Sequence, residues 1–522
     1  MDTKKLKQKV LDLAIRGKLV PQDPNDEPAS KLLERIYAEK QKLIAEGKIK
    51  KEKRSSFIFK GEDNSYYEKV VENGKETIRD ITDEIPFDIP ENWAWTRLGS
   101  VSNYGYVVPV SPENIPDNAW ILELEDIEKD SGKILCYVVK RERFAKSSKN
   151  QFHTEDILYS KLRPYLNKVV FAEKDGFCSS EILPIKFCKS ILPKYAYYYL
   201  KTSFFLSYAN NSSYGVKMPR LGTETGRNAL FPIPPLTEQQ KIIKSVNLLL
   251  EEVLLIEENF GKLFQQVVLS KSKLLDLAIR GKLLPQNPND EPASALLERI
   301  REEQESTKTK RKSIGSYIFK GGDNLYYEQI GSESKCIQDE IPFDIPNSWA
   351  WTRLGSICNI VNGFTPNKNN SDFWGNGSIP WFTIQDIRNK GRIVYSTRCK
   401  ISKAALSKNS ERIVPAESLL LCCTASIGEY AISKIALTTN QQFNAITIKK
   451  NYSDVLTSNY LFSIAPTFKP ILKQLAGATT FEFVSVKKVE SILLPLPPLQ
   501  EQKRISEFLT SAFTKLDSLA QH

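Results

Sequence analysis

Four stretches of this 522-residue chain occur twice, in the same order, and that duplication restricts the fold more than any other feature. Residues 10–36 read VLDLAIRGKLVPQDPNDEPASKLLERI and residues 274–300 read LLDLAIRGKLLPQNPNDEPASALLERI; 23 of the 27 positions are identical. SFIFKGEDNSYYE from Ser56 returns as SYIFKGGDNLYYE from Ser316, and DEIPFDIPENWAWTRLGS from Asp83 returns as DEIPFDIPNSWAWTRLGS from Asp339. LFPIPPLTEQQKI from Leu230 returns as LLPLPPLQEQKRI from Leu493. Between the third and fourth matches each half carries roughly 130 residues that do not align convincingly. The chain therefore reads as a duplicated frame holding two unlike inserts. A twofold frame suits twofold-related partners, and unlike inserts suit two different targets. An old duplication whose inserts simply drifted is the competing reading.

The frame carries a heptad pattern. After Pro235, Thr237 with Gln240 three residues on forms a capping-box signature. Apolar residues follow at Ile242, Val246, Leu249, Val253, Ile256, Phe260, Leu263 and Val267; Ser270 interrupts, and Leu274 and Leu277 continue. Steps alternating between four and three predict a coiled-coil seam. Gly281 and Pro285 mark its end. Some forty residues make a rod of roughly 60 Å. Ile505, Leu509, Ala512, Leu516 and Leu519 repeat the phase at the C-terminal end, and Leu6, Val10 and Leu13 supply the remainder from the N-terminal end. The expectation is a second rod cut in two, its halves antiparallel to the central helix and the two termini meeting, so that the frame is circular. Two unrelated amphipathic helices are the plainer alternative. Short helices are expected from Ala29 and Ala293. Basic runs follow at Lys48, Lys50, Lys51, Lys53 and Arg54, and at Lys308, Lys310, Arg311 and Lys312. These read first as solvated linkers and second as phosphate contacts.

Each insert begins at an IPFDIP turn and a WAWTRLG strand, whose Trp93 and Trp349 are expected to anchor cores. Each ends in a proline-rich exit that feeds the next helix stiffly. In the first insert, alternation predicts strands around Ile157–Tyr159 and Val169–Phe171. Lys161, Arg163 and Lys168 fall between them with Tyr165 and Asn167, and SSYGVKMPRLG adds Lys217 and Arg220 around a glycine turn. Basic residues interleaved with Tyr, Asn and Ser on loops suit phosphates and base edges, although such loops are also ordinary solvated surface. The second insert holds VNGFTPNKNNSDFWGNGSIPWFTIQDIRNKGRI, with Lys368 and Arg388. LLLCCTASIGEYAIS reads as strand, turn, strand, and NQQFNAITI opens with Asn440 and Gln441. Asn and Gln amides can pair bidentately with adenine; bracing of a turn competes for Asn440.

Composition narrows the chemistry. The 73 Lys and Arg against 62 Asp and Glu leave a net charge of +11, which favours a polyanionic partner. With only His153 and His522, zinc sites and histidine triads lack material. Eight scattered cysteines, with Cys422 and Cys423 adjacent and no CxxC pair, fit reduced thiols in a cytoplasm. No apolar run is long enough to span a membrane, and the N-terminal stretch is not expected to be a secretory signal. No GxxxxGK[ST] loop, glycine-rich cofactor loop or amino-methyltransferase Pro-Pro-aromatic motif is present. Glu123 and Glu125, if on a strand, would share a face and could be imagined holding a metal; a charged solvent face explains them more simply. The chain reads as a reader and organiser without catalysis. A coiled-coil adaptor for proteins, or an enzyme with unrecognised nuclease or methyltransferase motifs, are the alternatives.

The repeated LDLAIRGKLxPQxPNDEPAS segment, the PxDIPxxWxWxRLG lead-in and the PLPPLxEQxxI exit resemble the specificity subunit of type I restriction–modification systems. SKLRPYLNK with DGFCSSE, and NGFTPNK, FWGNGSIPW, ASIGEYAI and TNQQF, resemble that family's target-recognition domains. The resemblance implies an α+β chain: two globular α/β target-recognition domains separated by long antiparallel coiled-coil helices, with a pseudo-twofold repeat and circular organisation. The expected layout is an N-terminal helical segment at 1–54, target-recognition domains at 91–234 and 347–497, a central helical region at 237–312 and a C-terminal helix at 500–522. Each domain would read one half of a bipartite, asymmetric double-stranded DNA site, with Lys161, Arg163, Lys168, Lys217, Arg220, Lys368, Arg388, Asn440 and Gln441 as candidate contacts. The helices would act as a ruler, bounding the half-site separation below about 18 base pairs. Seam residues Ile242, Val246, Leu249, Val253, Ile256, Ile505, Leu509 and Leu516 would build the frame that docks two modification subunits. Those use S-adenosylmethionine, and joining restriction subunits use ATP and magnesium; this chain would hold no cofactor or metal. The expected place is a prokaryotic cytoplasm.

Overall fold

In the computed structural model, residues 2–46, 54–72, 74–143, 147–306, 316–374, 377–406, 410–477 and 483–521 are described. The basic residues Lys48, Lys50, Lys51, Lys53, Lys308, Lys310, Arg311 and Lys312, and His522, lie outside them; Arg54 opens a strand. The chain divides into two units, Met1–Asn259 and Phe260–His522, and the helix Leu236–Ile279 contributes to both.

In the first unit the N-terminal helix Thr3–Ile15 packs on the first half of the long helix and on the insert helices Pro193–Leu200 and Ser203–Asn211. Lys7 pairs with Glu257 at 2.7 Å, while Gln22, just past the helix, reaches Glu238 at 2.6 Å, so the two helices run in opposite directions. The buried stripe is Val10, Leu11, Ala14 and Ile15, wider than a seam, whereas Leu6 is exposed and Leu13 half-buried. A helix wedged between two neighbours buries adjacent residues; a helix with one partner buries a narrow line.

In the second unit the C-terminal helix Leu499–Gln521 pairs with the rest of the long helix, Lys271 with Asp517. Ile505 and Leu509 are buried, Leu516 is half-buried and Leu519 exposed. On the long helix Ile242, Val246, Val253 and Val267 are buried, Leu249 and Ile256 are half-buried, and Leu263 is exposed. Beyond Ser270 the buried positions are Leu275 and Ala278; Leu274 and Leu277 are half-buried. A straight helix turns about 20° per heptad against a 3.5 repeat, so over four heptads the stripe slips towards the next residue. The expected start also shifts. The helix begins at Leu236, and the Pro235 carbonyl accepts from the Gln239 backbone N–H at 2.9 Å, so Thr237 sits inside the first turn and is no cap.

The residues after Thr237 are the ones that join insert to frame. Glu238 is buried and its carboxylate accepts from the Trp93 indole N–H at 2.9 Å and from Gln22 at 2.6 Å. Gln239, also buried, accepts from the Leu192 backbone N–H at 2.8 Å and donates to the Pro234 carbonyl at 3.1 Å. The second unit repeats this node: Glu501 accepts from Trp349 at 2.9 Å and Gln286 at 2.6 Å, and Gln502 accepts from Thr457 N–H at 2.9 Å. Burial pushes both glutamates above the usual carboxylate range, opposed by these hydrogen bonds. Trp93 and Trp349 thus anchor cores through their ring faces and lock the exit through their N–H groups.

The lead-in strand Ala94–Arg97 pairs antiparallel with the exit Leu230–Ile233, and Ala350–Arg353 with Leu493–Leu496, so each insert starts and ends on one two-stranded ribbon. Beside each ribbon stands a small three-stranded sheet, built on the repeated SFIFKGEDNSYYE and SYIFKGGDNLYYE segments, for which the sequence carries no strand prediction. It runs Arg54–Lys60, Tyr66–Glu72 and Lys75–Asp80 in the first unit, and Tyr317–Lys320, Tyr326–Ile330 and Glu333–Cys336 in the second. Its buried Glu68 holds Arg97 with two bonds, at 3.0 and 2.9 Å, and Glu328 holds Arg353 likewise, at 3.2 and 2.9 Å.

The inserts share a strand plan despite their dissimilar sequences. Ile157–Ser160 lies between Val169–Phe171 and Ile182–Ile185, all antiparallel. Leu419–Cys422 lies likewise between Tyr430–Ser433 and Phe443–Ile448, in a sheet widened by Cys358–Asn362 and Ile393–Val394. Each insert also contains a parallel pair next to an antiparallel one, Ile121–Leu122 with Gly176–Cys178 and Ile379–Phe382 with Thr438–Thr439, and in the second insert Ile393–Val394 joins Tyr430–Ser433 in parallel as well. A carboxylate then turns the chain: Asp126 accepts from the Glu123 N–H, and Asp386 from the Thr383 N–H, each at 2.8 Å. Strand plans need only alternating apolar residues and register, which unlike sequences can supply.

Candidate nucleic-acid interface

In the first insert, three distant segments meet where Ile157–Ser160 ends. Lys161 donates its backbone N–H to the Glu181 carbonyl at 3.1 Å and accepts from Leu221 N–H at 3.0 Å. Arg163 donates its N–H to the Pro219 carbonyl at 2.7 Å, and Leu162 bridges Arg220. Tyr214 and Arg220 exchange backbone hydrogen bonds at 3.1 and 2.9 Å, which closes residues 215–219 into a hairpin tip. Gly215 takes φ +96° there, a conformation open to glycine at little cost. Arg163 and Asn167 both sit in the left-handed region, φ +50° and +48°, and frame the Pro164–Leu166 turn. Exposed at this end are Arg163, Tyr165, Tyr214, Lys217 and Val216, the last completely so.

Two of the five basic candidates in this insert are committed inward. Arg220 is paired with Glu181, Nη2 to Oε1 at 3.0 Å and Nε to Oε2 at 3.1 Å. Lys168 donates to the Leu124 carbonyl at 2.7 Å, and burial lowers its pKa. Their charges brace loops; Lys161, Arg163 and Lys217 carry the positive face.

The second insert gathers its motifs at the matching end of its sheet, because Cys358–Asn362 and Leu419–Cys422 finish where Phe443–Ile448 begins. Gly363 donates to the Phe443 carbonyl at 3.0 Å and Phe364 to Thr439 at 2.8 Å. A Cβ on Gly363 would stand 2.2 Å from the Asn440 carbonyl oxygen and from Thr439 Oγ1, so only glycine fits. The Thr365 hydroxyl donates to the Gln441 side-chain oxygen, which ties NGFTP to TNQQ. Asn440 spends its amide on Gln442: its oxygen accepts the Gln442 N–H at 3.1 Å, and its nitrogen donates to Gln442 Oε1 at 3.0 Å. Asn440 is thus the turn brace. Gln441 is exposed beside it. Lys368 is exposed on a turn held by Asn367, whose carbonyl accepts from the Trp374 indole at 3.1 Å. Arg388, on the helix Ile384–Lys390, lines a cleft with Lys469 and Lys473. Those two lysines escaped the sequence reading, although their spacing of four on the helix Phe468–Ala476 places them on one face.

Groups that could suggest catalysis have structural work. Glu123 and Glu125 are not on a strand; Glu123 precedes a 3-10 turn and pairs with Lys149 at 2.6 Å, and Glu125 is exposed. Cys422 and Cys423 are buried, burial pushes the Cys423 thiol up to about 12, and its sulfur accepts from Asn444 at 3.1 Å. Among the described residues no group of three or more His, Cys, Asp or Glu side chains is placed to hold a metal ion.

Comparison with known proteins follows the same division of the chain. The family model described as the type I restriction modification DNA specificity domain matches residues 90–258 and 346–521. The chain is 27% identical to the type I restriction enzyme EcoAI specificity subunit of Escherichia coli over 99% of this chain and 89% of that one. It is 28% identical to the EcoEI specificity subunit of the same species, over 71% of this chain and 66% of the other. In fold it resembles a chain from a solved structure on complex assembly and conformational transition of the type I R-M system. That likeness covers 84% of this chain and 94% of the other, with TM-score 0.57 and 19% identity.

Proposed function

Because this chain belongs to the type I restriction modification DNA specificity family, we propose that it is the DNA-reading subunit of a restriction–modification complex, each insert reading one half of a bipartite, asymmetric duplex site. The observation that carries this reading is the loop cluster built at the same end of two unlike inserts: Lys161, Arg163 and Lys217 with tyrosines in one, Lys368, Arg388 and Gln441 in the other. Cations hold phosphates and amides pair with base edges, so each cluster has the means both to position and to read. The frame, duplicated around the Trp–Glu–Gln nodes, holds each insert stiffly on a helix.

The relatives are named as specificity subunits, and this chain is a reader whose catalysis resides in partners. We infer two modification subunits using S-adenosylmethionine, and restriction subunits using ATP and magnesium. Leu248, Leu254, Leu255, Phe264, Val268 and Leu269, exposed along the long helix, support protein docking there. We infer also that the frame is a closed coiled coil. Supporting this, the N-terminal helix pairs at Glu257 and the C-terminal helix at Lys271, each in its own unit and each on the long helix. Among the described residues no helix is long and apolar enough to cross a membrane, which fits a place in the prokaryotic cytoplasm.

Exchange of insert two, residues 347–497, for that of another family member tests the reading. Mapping methylated adenines in host DNA should show one half-site changed and the other kept. An unchanged methylation pattern would refute it.

A further inference from the structure

The two inserts place a left-handed residue at the same point, the turn that leaves their central strand: Arg163 at φ +50° and Ala425 at φ +58°. Each turn is bridged by the segment before the exit, Leu162 to Arg220 and Thr424 to Phe483. Each also lies against the helix preceding that segment, Ser203–Asn211 in one insert and Phe468–Ala476 in the other. In the first insert the turn itself carries the cation, Arg163. In the second, alanine stands there and the surroundings supply charge. A cleft of about 470 Å³ beside Ala425 and Ser426 is lined by Arg388, Lys469 and Lys473. All three are exposed, and none makes an ion pair among the described residues. The acid at the cleft, Glu429, is neutralised by Arg392 at 2.9 Å.

Both turns thus have positive charge beside them, on the turn itself in the first insert and on two neighbouring helices in the second. Direct base reading demands particular side chains in fixed geometry; a phosphate demands only charge at a position. We propose that this cleft is a phosphate anchor, in which Lys469, Lys473 and Arg388 grip the DNA backbone and set the register at which the NGFTPNK and TNQQ loops meet bases. The assignment rests on the DNA-reading function and adds which residues position and which read.

The test uses the assembled complex and duplexes carrying the cognate site or a site altered in the second half. For wild type and K469Q/K473Q, log of the binding constant is plotted against log of salt concentration. Each lost phosphate contact flattens the slope by about 0.9. The double variant should flatten by about 2, lose affinity by the same factor on both duplexes, and keep the ratio between them. An unchanged slope, or a preference that shifts at the second half-site, overturns the anchor. A flat slope in wild type itself would instead overturn the DNA-reading function and the anchor with it. Both lysines are exposed helix residues, and an unchanged thermal unfolding curve verifies that the variant is folded.

Discussion

Replacing Glu238 separates its two contributions, as a charge and as a hydrogen-bond acceptor. The carboxylate is buried, accepts from Trp93 at 2.9 Å and Gln22 at 2.6 Å, and is held above its ordinary pKa by desolvation. Glu238→Gln removes the buried charge. Its amide oxygen still faces Trp93, and its nitrogen can face Gln22 if that amide reverses. The exchange should stay within about 1 kcal/mol of wild type, since neutral bonds at about 1 kcal/mol each replace charged ones while the desolvation cost disappears. Glu238→Ala leaves an indole N–H and an amide without an acceptor, at about 1–3 kcal/mol each, so a loss of about 3–4 kcal/mol is expected. Urea unfolding of the full chain and hydrogen exchange of Ala94–Arg97 measure this, and Glu501 offers the same pair of variants in the second unit. The pH dependence has a definite sign. A folded pKa above the unfolded one means the charge is penalised at neutral pH, and the penalty vanishes below about pH 4, where both states are protonated. Glu238→Gln should therefore gain relative to wild type at neutral pH, and the gain should shrink as pH falls through the carboxylate range. Equal costs for Gln and Ala would refute the account, because the acceptor would then be doing nothing that the charge does not.

Glu68→Gln should cost more than Glu328→Gln. Glu68 binds both Arg97 and Arg79 and its pKa falls to about 2, whereas in the second unit the position of Arg79 is Lys335, whose ion pair among the described residues is with Glu340. Arg97 keeps Glu84 and the Asn228 carbonyl, so the loss is expected to stay below the roughly 3–5 kcal/mol of an uncompensated buried charge, and the stability Glu68 contributes should be lost as pH falls from about 4.5 towards 2; unfolding curves of the two variants measure both. Val253→Asp should disrupt assembly more than Leu249→Asp, since Val253 is buried and Leu249 half-buried; co-purification of partner subunits gives the answer. Gly363→Ala should displace the NGFTP loop and abolish preference at the second half-site alone, read by methylation of sites altered in either half.

Much of the frame was legible because its signals are local or repeated. The duplicated segments, the WAWTRLG strands and the run from Ile242 to Val253 follow from pattern, whereas the proline-rich exits, expected only to lead stiffly into a helix, prove to be strands paired with WAWTRLG. The phase beyond Ser270 was not, since a 3.5 repeat written in sequence drifts on a straight helix. The small sheets were missed because a masking composition of Lys and Glu hides strands whose burial depends on one face only, as Ile58 and Val70 show. In the inserts the strands at Ile157 and Val169 were readable, but the availability of each cation was not. Lys168 and Arg220 look like Arg163 and Lys217 until Leu124 and Glu181 are brought beside them from 44 and 39 residues away.

The sequence alone determined that the chain is a twofold frame with unlike inserts, and which family it resembles, because identity between repeats and residue spacing survive without coordinates. Tertiary structure decided which charges remain free, that Asn440 braces while Gln441 faces outward, and that two unalignable inserts share one strand plan. The reason is physical: a side chain's available charge depends on the groups placed around it, and those groups come from segments whose meeting is set by packing, across distances along the chain that local pattern does not encode.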